Sequence, residues 1–312
     1  MARSSHNGTG RSVVAASRTA VEWLSQGVGH QLIPPGSDID VLTSPTLKYL
    51  RERWWDDTFT AFLAETLRPR AGNRILDVGC GEGLAEVHIG RLHVSQLRLV
   101  GIDLMVERVM IARREVAAHN QRVGFATADA CALPFRERAF DSTFCVAVLQ
   151  HVGDVDAAVR EFARVTVPGG RVLAVEPDNR ARYVYASTPG GQRAFEQSAR
   201  FFAEMVSARG DSADVAVGPK LPVLFAKHGI EPIAVRLFPV SKTQLGAPPA
   251  NVWARRRAAI EQAVEEAPNG ARAIGRTYLE TIDAYAREAQ QAGSTFVEIQ
   301  NTMLFATLGQ RT

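Results

Sequence analysis

The residues with most chemical promise gather in "ILDVGCGEGL", Ile75 to Leu84, where an apolar run passes through an acid into three glycines spaced two apart. Gly79, Gly81 and Gly83 follow what reads as a strand, and glycines there let a ligand approach the backbone closely. The dinucleotide fingerprint G-x-G-x-x-G is not met, because Leu84 stands where its third glycine belongs. Asp77 and Glu82 flank the turn. A pyrophosphate seeks backbone N–H groups and positive charge, so two carboxylates beside the turn disfavour it. A cationic ligand has the opposite preference; the bland alternative is a tight turn with solvated acids.

Two further acids extend the pattern. Asp103 closes the next apolar run, "RLVGID", where a carboxylate can accept both hydroxyls of a ribose, or else cap the following helix. Asp129 and Ala130 follow a third run; the carboxylate can accept from an adenine amino group while the next N–H meets a ring nitrogen. A nucleoside that also carries an ammonium and a sulfonium satisfies all of these at once. S-adenosylmethionine (SAM) is such a ligand.

Groups for the transfer itself are fewer. His151, in "VLQHV", can act as a base near neutral pH, or simply pack beside the adenine or cap the next helix. Glu176 and Asp178 follow a fifth apolar run, with Tyr183 and Tyr185 close behind. They either line an acceptor pocket, where Tyr183 could orient or deprotonate a hydroxyl, or are solvated acids and core tyrosines. Trp54 and Trp55 either close over the methionine end of a cofactor or pack a helix. Arg255, Arg256 and Arg257 either meet an acidic substrate or form a solvated helix face.

These residues need a scaffold, and the apolar periodicity supplies one. Strand-like runs at 74–78, 98–103, 122–127, 142–148 and 171–176 alternate with helical stretches. In "DVDAAVREFARV", Val155, Ala158, Val159 and Phe162 fall at i, i+3, i+4 and i+7. Strands alternating with helices predict a parallel α/β sheet covered on both faces. Helices are expected near 12–26, 46–68, 190–209 and 219–228, a sixth strand in "EPIAVRLFPV", and a last strand over 295–307. An alanine- and charge-rich helical stretch at 247–292 lies between those two strands, with Ile274, Tyr278, Ile282, Tyr285 and Ala289 on one stripe. The expected organisation is a tail and helical arm over 1–69, a core over 70–246, a helical insert acting as substrate cap over 247–293, and the core's final strand over 294–312.

Composition narrows the classes. The chain has 312 residues, 46% hydrophobic and 22% charged, as in ordinary globular proteins. A net charge of +3 makes no case for a nucleic-acid-coating protein. No apolar run approaches the ~20 residues of a membrane span, and the polar start carries no signal-peptide core. The three cysteines lack zinc or redox spacing, and Cys145 sits in an apolar run, so reduced thiols in a cytoplasm are expected.

The chain resembles the class I SAM-dependent methyltransferases, in particular the branch like the ubiquinone/menaquinone C-methyltransferases. The resemblance rests on "ILDVGCGEG", "VGIDLMVERV", "ATADACALPFRERAFDSTFCVAVLQHV" and "FARVTVPGGRVLAVEP", in that order over about 70–178. It implies a Rossmann-like seven-stranded sheet of order 3-2-1-4-5-7-6 with the last strand antiparallel. It also implies SAM contacts at Asp77, Gly79, Cys80, Gly81, Asp103, Leu104, Asp129, Ala130 and the backbone near Val148. The family's small members join strands six and seven directly, so the arm and the insert lie outside the resemblance.

The expected activity is methyl transfer from SAM to oxygen or carbon of a small, partly apolar or aromatic metabolite, leaving S-adenosyl-L-homocysteine. Proximity and alignment carry most of the acceleration, worth roughly 7–11 kcal/mol. "RFFAEM", "VWARRR" and "RTYLETIDAY" could wall a lidded apolar pocket. "AVLQHV" replaces the Asn/Asp-Pro-Pro-Tyr/Phe of amide and base-amine methylation, and no acidic cluster of the magnesium type occurs, so no metal is expected. Alternatives are a macromolecule (RNA or protein) methyltransferase, a SAM-binding protein without turnover that uses the helical arm as a homo-oligomer interface, and, more distantly, a nicotinamide-dependent oxidoreductase. Nucleic acid and membrane are not expected partners.

Overall fold

A computed structural model describes residues 55–119, 122–209 and 214–312. The helix expected at 12–26 lies outside the described residues, as do Trp54 and the start of the one expected at 46–68.

Seven strands form one sheet in the order β3-β2-β1-β4-β5-β7-β6. They are β1 (Arg74–Val78), β2 (Arg98–Asp103), β3 (Val123–Thr127), β4 (Phe140–Val146), β5 (Thr166–Ala186), β6 (Ile230–Leu245) and β7 (Val297–Arg311). The first five pair in parallel, and β7 runs antiparallel to both β5 and β6. Four of β1's five residues are buried, as a central parallel strand requires. Edge strand β6 pairs only with β7 and tolerates Pro232 and Pro239, which cannot donate to a second neighbour.

The helices on the sheet follow local rules. Helix α1 (Asp57–Leu67) starts where the Asp56 carboxylate accepts from Phe59 N–H at 2.8 Å and ends at Arg68, left-handed at φ 48°, just before Pro69. Helices α2 (Leu84–Gly90) and α3 (Val106–Ala118) follow β1 and β2. Helix α4 (Val155–Val165) is capped by Asp154 and buries Ala158, Val159 and Phe162, the stripe its spacing predicts. One core, around Phe59, Phe62, Phe144 and Leu173, lies under α1 and α2. The other, around Cys145, Val159, Phe162 and Phe225, lies under α4 and α6 (Leu221–Lys227).

Strand β5 pairs with β4 only as far as Val175, yet continues beside β7 to Ala186. With β6 and β7 it forms a three-stranded extension beyond the parallel part of the sheet. Three helices, α5 (Pro189–Arg209), α7 (Ala250–Glu266) and α8 (Asn269–Ala292), pack on it around Phe201, Met205, Trp253, Ile282, Tyr285 and Phe296. The insert therefore shares one core with α5, which belongs to the span 70–246. Trp253 meets Tyr285 edge-on at 4.9 Å, and Phe201 lies 6.4 Å from Tyr278. The aromatic residues expected to wall a pocket thus fill the interior of this helical layer; Phe202 alone among them, at 40%, is notably exposed.

Candidate active site

The chain leaves β1 towards β2 on one side and returns with β4 on the other, so the topological switch point lies between the carboxyl ends of β1 and β4. Gly79 follows β1 and Val148 follows β4, and they meet there. A Cβ on Gly79 would lie 2.3 Å from a Val148 methyl, and the residue sits at φ 78°. Both facts require glycine. The N–H groups of Gly79 and Cys80 donate to Ile102 O at 2.7 and 2.8 Å, which folds the turn back over β2.

Beneath the turn lies an unusual concentration of acids. Asp77 and Asp103 are 3% and 7% exposed, and Glu86 on α2 is sealed completely. Asp103 accepts from Gly81 N–H and from Met105 N–H, both at 2.9 Å, and so locks the turn to the end of β2. Glu86 fits only because its neighbour on β2 is Gly101, where a Cβ would come within 2.4 Å of the Glu86 carboxyl. Gly101 is the register partner of Asp77. Both Glu86 oxygens are shielded from water and meet no donor in good hydrogen-bond geometry. Burial, with the adjacent Glu86 next, raises the Asp77 carboxyl well above its ordinary range; burial likewise pushes Glu86 up to about 8. A proton shared between these two side chains relieves the cost of burying them together. Burial also raises the Cys80 and Cys145 thiols, which excludes both as ready nucleophiles.

The β4 side of the cleft is fixed by Glu176, which is neither a pocket-lining acid nor a solvated one. It is fully buried and accepts from Val148, Leu149 and Gln150 N–H at 2.8, 2.9 and 3.3 Å. Those bonds curl residues 149–151 into a 3-10 turn, so β4 stops at Val146 although the apolar run continues to Val148. The Val148 N–H is thereby taken, and its carbonyl accepts from His151 N–H at 2.9 Å; only its side chain faces the glycine turn. His151 is half-buried at the end of that 3-10 turn.

Other expected residues fall into place differently. Leu104 is 70% exposed beside Asp103. Asp129 is exposed and accepts from Cys131 N–H at 2.8 Å, with Ala130 between them. Tyr183 is 61% exposed on β5 opposite Asn301, so it is not a core tyrosine. Asp178 accepts from Arg180 and Ala181 N–H within β5, where the register with β7 shifts between Asp178 and Tyr183. Trp55 stacks on His88 at 5.4 Å. The basic run is not a solvated face: Arg256 is buried and forms a two-bond fork on Glu298 at 2.7 Å each, and Arg257 pairs with Glu261 and Asp283. Tyr285 donates to the same Glu298 at 2.8 Å, and the Arg256 guanidinium lies 4.8 Å over the Trp253 ring. Sequence reasoning missed Glu86, whose only signal was an acid amid apolar residues in "LAEVHIG", and it missed Glu298 entirely. A groove of about 620 Å³ between α3 and β3 lies at the amino ends of the strands, the wrong end for a switch-point ligand. No group of acids, histidines and cysteines among the described residues is arranged to hold a metal ion.

Strand order, switch-point glycines and an acid at the end of β2 define the class I methyltransferase fold. The comparisons agree. Residues 76–174 match the family described as a methyltransferase domain. An O-methyltransferase of Aspergillus nomiae is 30% identical over 150 residues, which cover 44% of this chain and 66% of that protein. The 27-O-demethylrifamycin SV methyltransferase of Amycolatopsis mediterranei is 35% identical over 135 residues, 39% of this chain and 49% of that one. The ubiquinone biosynthesis O-methyltransferase of Xanthomonas oryzae pv. oryzae is 32% identical over 136 residues, 40% of this chain and 56% of its own. The chain thus spans between about half and two thirds of these relatives' lengths. A crystal structure from Bacillus halodurans C-125, described as a candidate methyltransferase, superposes with a TM-score of 0.51 at 15% identity, covering 82% of this chain and all of the other. That likeness bears on the fold alone.

Proposed function

We propose that this chain transfers a methyl group from SAM to an oxygen of a small, partly apolar or aromatic metabolite and releases S-adenosyl-L-homocysteine (SAH). The observation that carries the reading is the set of carboxylates around the glycine turn: Asp103 locked to Gly81 at the end of β2, and beneath the turn Asp77 and the sealed Glu86, which between them hold one shared proton. Negative charge held at a switch point suits a ligand bearing an ammonium and a sulfonium and repels a pyrophosphate.

Asp77, Gly79, Cys80 and Gly81 would hold the amino-acid end, Asp103 and Leu104 the ribose, Asp129 and Ala130 the adenine, and the Val148 side chain would close the cleft. When bound, SAM supplies an electrophilic methyl group on a good leaving group. The protein's task is then to orient the acceptor and exclude water, so a strong base is not required. His151 would take a proton from an acceptor hydroxyl where one must be lost, and Tyr183 would need the cleft to close over it. The named activities of the relatives favour oxygen over carbon as the acceptor. The helices over 247–293, joined by α5, would form the wall that selects the substrate.

The test is incubation of the purified protein with methyl-labelled SAM and cell extract, followed by separation of the label by size. Label in the small-molecule fraction supports the proposal, and mass spectrometry then names the acceptor. Label on RNA or protein overturns it. SAM binding without label transfer points to a binding protein instead.

A further inference from the structure

Helix α1 and the layer of α5, α7 and α8 lie on the same face of the sheet, and a strip of that face between them is only partly covered. The register irregularities beside β7 fall in β5 and β6, so the even-numbered residues of β7 share one face. At one end Glu298 is buried against Arg256 of α7 and Tyr285 of α8. At the other, Leu304 and Ala306 are buried under α1, whose Phe59 and Phe62 reach Phe238, level with Leu304. Gln300 and Thr302 lie between these ends and are half-buried, as are their strand neighbours Val184, Val240 and Lys242. The strip belongs to the part of the sheet that overhangs the cleft. Strand β4 ends at Val146, level with Val175 on β5 and Ala306 on β7. Gln300 stands roughly 20 Å further along β7, at ~3.4 Å per residue. An acceptor whose oxygen meets a methyl group at the switch point can reach Gln300 only with its far end.

Glu298 fixes how Gln300 is presented. Burial raises this carboxyl, but the Arg256 fork outweighs it and holds the group below its ordinary range, so Glu298 is ionised and can only accept. It takes two bonds from Arg256, one from Tyr285 and one from Gln300 Nε2 at 2.9 Å. The amide nitrogen of Gln300 therefore faces the carboxylate, and its oxygen faces away. That oxygen accepts no hydrogen bond from the described residues. A half-buried acceptor whose direction is set by a saturated ion pair is preorganised for a donor that the protein does not supply.

We propose that Gln300 is a specificity-determining residue whose amide oxygen accepts from an O–H or N–H group at the far end of the methyl acceptor, so that the substrate is an elongated metabolite with a donor remote from the oxygen that is methylated. This deepens the methyltransferase reading and rests on it. A compact acceptor beside the glycine turn does not span the distance to the strip, and an acceptor without a remote donor leaves the Gln300 oxygen desolvated and unpaired.

The full chain, saturated with SAH and labelled with ¹⁵N-glutamine, is titrated with two probes. One is p-methoxyphenoxyethanol, whose hydroxyl lies at the end remote from its methoxy group; the other is the methyl ether of that alcohol, which has no donor. The Gln300 side-chain amide signal is assigned by its loss in Gln300→Leu. The alcohol should move that signal and bind roughly twofold to tenfold more tightly than its ether. Gln300→Leu should erase the difference while SAH still binds. Gln300→Lys keeps a donor for Glu298 but has no acceptor, so it should erase the preference as well. Equal binding of alcohol and ether by the wild type, a preference that survives in either variant, or no movement of the signal up to the solubility limit overturns the proposal. Failure of the wild type to bind SAH would instead remove the methyltransferase reading, and the same titration without SAH then judges Gln300 by itself.

Discussion

Replacing Glu86 by Gln keeps the shape of the side chain and removes its titration. Burial pushes this carboxyl up to about 8, against 4.5 for an unperturbed glutamate. Between those values the folded chain keeps a proton that the unfolded chain has released. Stability from this group is therefore fully present below the lower value and is lost as the pH rises through the upper one. The separation is worth at most about 5 kcal/mol, at roughly 1.4 kcal/mol per pH unit. Because Asp77 shares the proton, a few kcal/mol is the expected effect. At about 2–4 °C per kcal/mol, the wild-type melting temperature should fall by roughly 5–10 °C more than that of Glu86→Gln between pH 5 and pH 8. Thermal melts at fixed ionic strength measure this directly. Saturating SAM should reduce the wild-type fall, since a bound ammonium favours the charged carboxylates. Parallel melting curves for the two proteins across that range would refute the account of a proton held beneath the turn.

Three further outcomes are expected. Asp103→Ala removes an acceptor of two backbone N–H groups and should weaken SAM binding about tenfold to a hundredfold by calorimetry, from roughly 1.5–3 kcal/mol. Gly79→Ala should abolish binding and lower the melting temperature, because the new methyl group meets Val148; adding Val148→Ala should recover part of the stability but not the strain of positive φ. Arg256→Met alone leaves Glu298 buried without its partner and should destabilise by about 3–5 kcal/mol, while Arg256→Met with Glu298→Leu should lose much less in denaturant unfolding.

The sequence by itself determined the sheet and the glycine turn at the carboxyl end of its first strand. Strands with continuous apolar runs must be buried on both faces, helix α4 shows its buried stripe in its spacing, and the glycines at 79, 81 and 83 mark a turn that only one end of a parallel sheet provides. These signals are local: each is carried by neighbours within about two helical turns. Tertiary structure decided the fate of the charged residues. Glu86 passes in the sequence as one acid amid apolar residues, yet it is sealed because Gly101, on another strand, has no side chain to exclude it. Arg256 reads as part of a basic helix face until Glu298 arrives from β7, and Glu176 reads as a loop acid until three N–H groups of the β4 turn close on it. Whether a charge is solvated, paired or waiting for a ligand depends on partners far away in the chain, and residue spacing does not encode those partners.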